Sequence, residues 1–175
     1  QADRLRAAYA AEFDAALGMY HRKPAAFARA AFTGRFPDGD FPTWRRYPED
    51  LRASSVTVGR DLYAHLGIER GDRAARDAWN RGNCEFFGAP TAIWVFVHAK
   101  LLPFSAHDAG LTLQTLMLSA TAHGLGSCAL GVLATWRRPI DAEFAIPRHY
   151  KLVTGLALGH PSDASVNEFR AEHPP

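Results

Sequence analysis

The residues best equipped for chemistry in this sequence are eight histidines, two cysteines and one glycine-rich turn. The histidines form no His-Glu-x-x-His, no His-x-His and no cluster with cysteine at zinc spacing, so no metal-ligand set emerges. His65, His98, His123 and His149 each adjoin apolar sequence, where a hydrogen-bonded structural histidine is the common case. Cys84 and Cys128 lie far apart with no Cys-x-x-Cys, which argues against a disulfide framework and for a reduced, cytoplasmic compartment. Ser127 follows Gly124-Leu125-Gly126, but Ala129 occupies the place of the second glycine of a nucleophile elbow. The same glycines fail as a dinucleotide fingerprint, because they end a helix where that loop would begin one. Gly124 is expected to be a left-handed helix terminator, Gly126 a point of close turning and Cys128 a small packed hydrophobe. Asp108 reads as a carboxylate at a helix start, and Gln114 as a buried polar group in need of a ligand or a second subunit.

The elements that must position these residues follow from periodicity. Leu5, Tyr9, Phe13, Ala16 and Leu17 predict a helix over 2–17, with Gly18 as its terminator. Residues 24–48, with Gly34, Pro37, Asp38-Gly39, Pro42 and Pro48 among five aromatic anchors, predict a long ordered loop holding one helical piece. Helices are expected at 48–67, 72–80, 108–123 and 139–144, with Arg81-Gly82-Asn83 breaking the second of them. Residues 92–97 read as a central strand buried on both faces, 151–159 as a second strand and 127–132 as an apolar, partly extended stretch. Two clear strands are too few for a stable sheet, so further strands are expected from upstream sequence or from another subunit. Helix 108–123 is apolar nearly all round, which predicts burial in a core or at an interface. The order implies an α+β or layered α/β domain.

Composition agrees with one globular domain spanning 1–175: apolar residues make up 47% of the chain and charged residues 22%. The formal charge of +2 is spread over mixed pairs such as Asp3-Arg4 and Glu69-Arg70, which disfavours nucleic-acid binding. No apolar run approaches the ~18–20 residues needed to cross a bilayer, and no signal peptide opens the chain. The chain starts inside a helix without methionine, so an N-terminal portion is expected to be missing.

Several stretches, taken in order, resemble the FMN-dependent nitroreductase family. They are Asn83-x-x-Phe86-Phe87-x-Ala89-Pro90, Asp108-x-Gly110-x-x-x-Gln114, His123-Gly124-Leu125-Gly126-Ser127-Cys128, Leu158-Gly159-His160-Pro161 and Asn167-x-x-Arg170-x-Glu172-His173-x-Pro175. Trp44-x-x-Tyr47-Pro48-x-x-x-Arg52 and Leu66-Gly67-Ile68-x-Arg70-x-Asp72 extend the match forward more weakly. The resemblance implies an α+β sandwich, an intertwined homodimer and FMN in clefts between subunits. It also implies ping-pong reduction of a nitroaromatic, quinone or similar acceptor by NAD(P)H. The flavin carries the hard chemistry in such proteins, so no catalytic side chain need stand out. By position, Ala129, Leu130, Gly131 and Val132 would run along the isoalloxazine edge, and Arg170 and His173 would reach the FMN phosphate. The family's Arg-x-Ser-x-Arg and Pro-Ser-x-x-Asn-x-Gln-Pro-Trp segments, which hold the flavin, do not occur here. The alternative is therefore a degenerate relative that keeps the fold and the dimer as a binding or scaffold protein.

Overall fold

A computed structural model describes residues 1–43 and 47–171. Helix α1 (Ala2–Tyr20) buries Leu5, Tyr9 and Phe13, spaced one turn apart, against the sheet. Tyr9 stacks on Trp94 at 6.1 Å and accepts the Trp94 Nε1–H at 3.0 Å, while Phe86 meets both rings edge-on. The helix runs past Gly18, which is therefore no terminator. A Cβ at Gly18 would lie 2.7 Å from that of Ala26, so the glycine instead lets α1 approach the next helix.

That next helix, α2 (Pro24–Thr33), is a helical piece of the kind expected within residues 24–48. Pro24 sits in its first turn and Gly34, read as a breaker, closes it at φ +65°. Helix α3 (Glu49–His65) forms as expected but buries no residue. Helix α4 (Arg73–Cys84) is capped by Asp72, which accepts from the Ala75 N–H at 2.9 Å. It continues through Arg81-Gly82-Asn83, because Arg81 pairs with Asp14 and Glu85 and because Gly82 leaves room for the Phe87 ring.

Strands β1 (Thr91–His98), β2 (Gly126–Leu130) and β3 (Tyr150–Gly159) form an antiparallel sheet in the order β1-β3-β2. The central strand is thus β3, with Leu152, Leu156 and Ala157 buried; β1, expected at the centre, lies at an edge among the described residues. Of β1 only Val97 is buried among the described residues, so the apolar run, expected to be buried on both faces, fixed neither its burial nor which strand edge is free. The third strand comes from the chain itself, since Gly126–Leu130 pairs with Gly155–Gly159.

Helix α5 (Phe104–Ala122) packs on β1 and β2. It starts a full turn before Asp108, so that carboxylate is exposed in the helix and caps nothing. Gly124 adopts φ +71° beyond its end, as expected of a helix terminator. A 3₁₀ segment at Gly131–Thr135 leads into α6 (Arg138–Glu143). The core gathers Leu5, Tyr9, Phe86, Leu130, Leu133, Trp136, Ile140 and Leu152 beneath these elements.

Candidate functional site

Strand β2 turns into the 3₁₀ segment at Leu130, whose side chain is only 1% exposed and anchors the turn in the core. Ala129 before it and Gly131 after it are exposed, while Val132 packs partly against the core. A Cβ built at Gly131 would meet nothing within 4 Å, and its φ is not in the left-handed region. Among the described residues no contact requires glycine there, and the space in front of the backbone is open. The outer edge of β2 pairs with no strand among the described residues, leaving backbone groups along 126–130 free to meet a ligand.

The turn is held from behind by the loop around Asp38-Gly39, a pair that the sequence presented only as a breaker. The Gly39 N–H donates to Thr135 O at 3.0 Å, and the Thr43 and Thr135 hydroxyls pair at 2.8 Å. Gly39 must be glycine, since a Cβ would fall 2.0 Å from Ala134 O. Asp38 accepts the backbone N–H groups of Arg137 and Arg138 at 3.0 and 3.1 Å, so a distant loop caps α6. Arg137 is buried, with Nη1 donating to Asp40 at 2.6 Å and Nε to Asp141 at 3.0 Å. Asp40 also accepts from Lys151 Nζ at 3.0 Å and from the Leu152 N–H at 2.8 Å, which ties the loop to β3.

Electrostatics follow this wiring. Burial opposes the charge on Asp40, but the Leu152 N–H, Lys151 and Arg137 outweigh it and hold the carboxyl below its ordinary range. Glu12, also buried, is likewise held low by Arg138 and Arg35 despite desolvation. Desolvation works against the Arg137 charge, yet Asp40 and Asp141 raise its pKa further. These groups stay ionised at neutral pH, which suits a scaffold and not a proton shuttle. Burial pushes the Cys84 thiol up to about 12. Cys128 is exposed on β2 and is not the packed hydrophobe expected, although partial desolvation still raises its thiol. Ala129 beside it is exposed as well, so both faces of β2 are open at this point among the described residues.

The structure joins Ala129, Leu130, Gly131 and Val132 in one continuous turn. Arg170 lies elsewhere in the fold, in the tail that docks on α3 through the His65 ring and Ser165 O, 2.7 Å apart. Its guanidinium donates to the carbonyls of Asn167 and Phe169, and among the described residues no hydrogen bond or ion pair links it to 129–132. His173 lies outside the described residues. Gln114 is exposed on α5, not buried, because the described chain covers only the sheet side of that helix. Asp38, Gly39, Asp40, Arg137 and Arg138 are the positioning residues that motif reading missed. The available signal was the Arg137-Arg138 doublet in an apolar stretch and the Asp-Gly-Asp triplet that could answer it. Among the described residues, no group of three or more His, Cys, Asp or Glu side chains could hold a metal ion. No described helix is long and apolar enough to cross a membrane.

Comparison with known proteins gives a consistent pattern. The model of the Nitroreductase family matches residues 38–160. The nitroreductase NfnB of Mycolicibacterium smegmatis is 35% identical over 121 residues, which is 69% of this chain and 51% of that protein. A 4-nitrobenzoate reductase of a Nocardioides species is 33% identical over 125 residues, or 71% of this chain and 48% of that protein. The chain therefore spans about half the length of the curated relatives it matches. The crystal structure of the FMN-dependent nitroreductase NfnB from Mycobacterium smegmatis in complex with NADPH superposes with a TM-score of 0.76 at 28% identity. That alignment covers 98% of this chain and 71% of that one.

Proposed function

The chain belongs to the nitroreductase family, and from that premise we propose that it serves an FMN-dependent oxidoreductase in which NAD(P)H reduces nitroaromatic, quinone or similar acceptors. The observation that carries this reading is the open backbone at Gly131, on a turn braced from behind and facing unoccupied space. An isoalloxazine ring is planar and carries hydrogen-bonding groups along one edge. A strand edge that runs on into a glycine offers matching N–H and carbonyl groups and no Cβ to hold the ring away. Ala129, Leu130, Gly131 and Val132 fit that role. FMN, when bound, supplies hydride acceptance and transfer; the residues of this chain bind and orient it. Leu130 anchors the turn in the core, and Asp38, Asp40 and Arg137 keep it from shifting. Arg170 would serve the FMN phosphate by turning away from the Asn167 and Phe169 carbonyls, and His173 is assigned to the same phosphate.

A homodimer belongs to the same proposal. Helix α5 leaves Leu111 and Leu118 58% and 61% exposed, and α3 leaves Leu51 and Val56 open. Such faces fit an interface better than solvent. We take residues 1–175 as one domain, working in the cytoplasm on a small-molecule acceptor, with nucleic acid and membrane outside its role. The test is a visible absorbance spectrum of the purified protein reconstituted with FMN. Yellow protein that bleaches on adding NAD(P)H and regains colour with a nitroaromatic is the expected result. Protein that stays colourless after reconstitution would remove the oxidoreductase reading and leave a binding or scaffold role.

A further inference from the structure

Helix α4 connects two different surfaces. Its last residue, Cys84, belongs to the core cluster with Leu130 and Leu133, beneath the turn at 129–132. Its first residue, Arg73, lies eleven positions earlier, about 16 Å away at the helical rise of 1.5 Å per residue. Around that first half opens a cavity of about 310 Å³, walled by Tyr20 at the end of α1, Tyr63 on α3 and Asn80 on α4. The volume is at the small end of ligand clefts, about 300–1,000 Å³.

Three arginines line this cavity: Arg22, Arg73 and Arg76. One carboxylate, Asp77, shares the space, but the His21 ring already engages it at 2.8 Å. Among the described residues neither Arg22 nor Arg73 makes an ion pair, and Arg76 reaches only the Asp72 carbonyl at 3.4 Å. Arg22 is placed here by the turn that ends α1, at φ +56°, a conformation uncommon for a side-chain-bearing residue. Like charges gathered at one mouth repel one another, and an anion relieves that repulsion. Guanidinium forks match phosphate oxygens two at a time, and the exposed Tyr20 ring offers a face on which a planar base stacks.

We propose that this cavity binds a phosphate monoester carried on a nucleoside, at a site separate from the turn at 129–132. The phosphate meets Arg22, Arg73 and Arg76, and the base lies against Tyr20. Two sources offer that chemistry: a free nucleoside 5′-monophosphate, or the 2′-phosphate arm of a phosphorylated dinucleotide.

The experiment is calorimetric titration of the protein with 5′-AMP, 2′-AMP, adenosine and inorganic phosphate, with and without saturating FMN. Either nucleotide should bind more tightly than both phosphate and adenosine, and its affinity should fall as salt rises. Preference for 2′-AMP identifies the dinucleotide arm as the source, and preference for 5′-AMP the free nucleotide. Arg73→Ala and Arg76→Ala should each weaken binding about tenfold or more, the loss expected of one charge-assisted hydrogen bond. Arg60→Ala, on exposed α3 outside the cavity, should leave the affinity unchanged. Tyr20→Ala alters an exposed side chain and should weaken the nucleotides while sparing inorganic phosphate. Nucleotide affinity no better than that of phosphate, or unmoved by both arginine variants, would overturn the proposal. So would displacement of bound FMN by AMP, since the cavity would then be part of the flavin site. Because the titration without FMN stands alone, its outcome is separable from failure of the flavin reading.

Discussion

The loop from Pro37 to Thr43 and helix α5 invert the usual relation between polarity and burial. The loop is acidic, yet the side chain of Asp40 is only 8% exposed and bonds to three groups of its own chain. Helix α5 is apolar, yet of its nineteen residues only Ala109 and Ala120 are buried. The difference lies in where partners are found. Carboxylates can be buried when the same chain supplies cations and N–H groups at bonding distance. An apolar face finds its partner only in another surface, and the described residues supply one for a single side of α5. The loop is thus a self-contained brace for the turn at 129–132, and α5 is the region that fits a second subunit.

The sharpest way to break this contrast is to remove the cation of the brace. Arg137→Ala leaves Asp40 and Asp141 without their shared partner and should cost about 3–5 kcal/mol, read from the midpoint of chemical denaturation. Unchanged stability would mean that the ion network is incidental. Gly39→Ala should cost about 1–3 kcal/mol or more, because a Cβ 2.0 Å from Ala134 O forces the backbone to move. If the brace positions a flavin edge, the same variant should also weaken FMN. Gly131→Val tests the open side of the turn: the added side chain should raise the FMN dissociation constant about tenfold, or about 1.4 kcal/mol, with the melting temperature of the flavin-free protein unmoved. An unchanged flavin titration would remove Gly131 from the site.

Acid should loosen the brace before it affects α5. The folded pKa values of Asp40 and Glu12 are depressed, so their contribution to stability is complete above the unfolded values of about 3.9 and 4.3. It is lost as pH falls from those values through the lower folded ones. Asp40→Asn should therefore flatten the acid limb of a stability–pH curve, and an unaltered limb would count against it. Leu118→Asp should have the smallest effect on the fold, within about 0.5 kcal/mol for an exposed site. It should nevertheless abolish a dimer seen by analytical ultracentrifugation if α5 is the interface.

Much of this architecture was legible in residue order. Leu5, Tyr9 and Phe13 announced α1, the β-branched run before His98 announced β1, and Gly124 announced the end of α5 through its need for positive φ. Helix ends were read less well where glycine served packing. Gly18 and Gly82 looked like terminators, but each makes room for a neighbour, Ala26 or Phe87, that local pattern does not reveal. The turn at Ala129–Val132 was found through resemblance to a family, since its residues are small and carry no reactive group.

By itself, then, the sequence determined the elements whose causes are local: helical spacing, strand composition, the Asp72 cap and the Gly124 terminator. Tertiary structure alone decided that β3 is central, that Asp38 caps a helix 100 residues away and that Arg137 is buried among carboxylates. It also gathered Arg22, Arg73 and Arg76 around one cavity. The reason is one of range. Propensity and capping act within a turn or two of chain, whereas strand order and ion pairing depend on which distant segments the packed core brings within bonding distance.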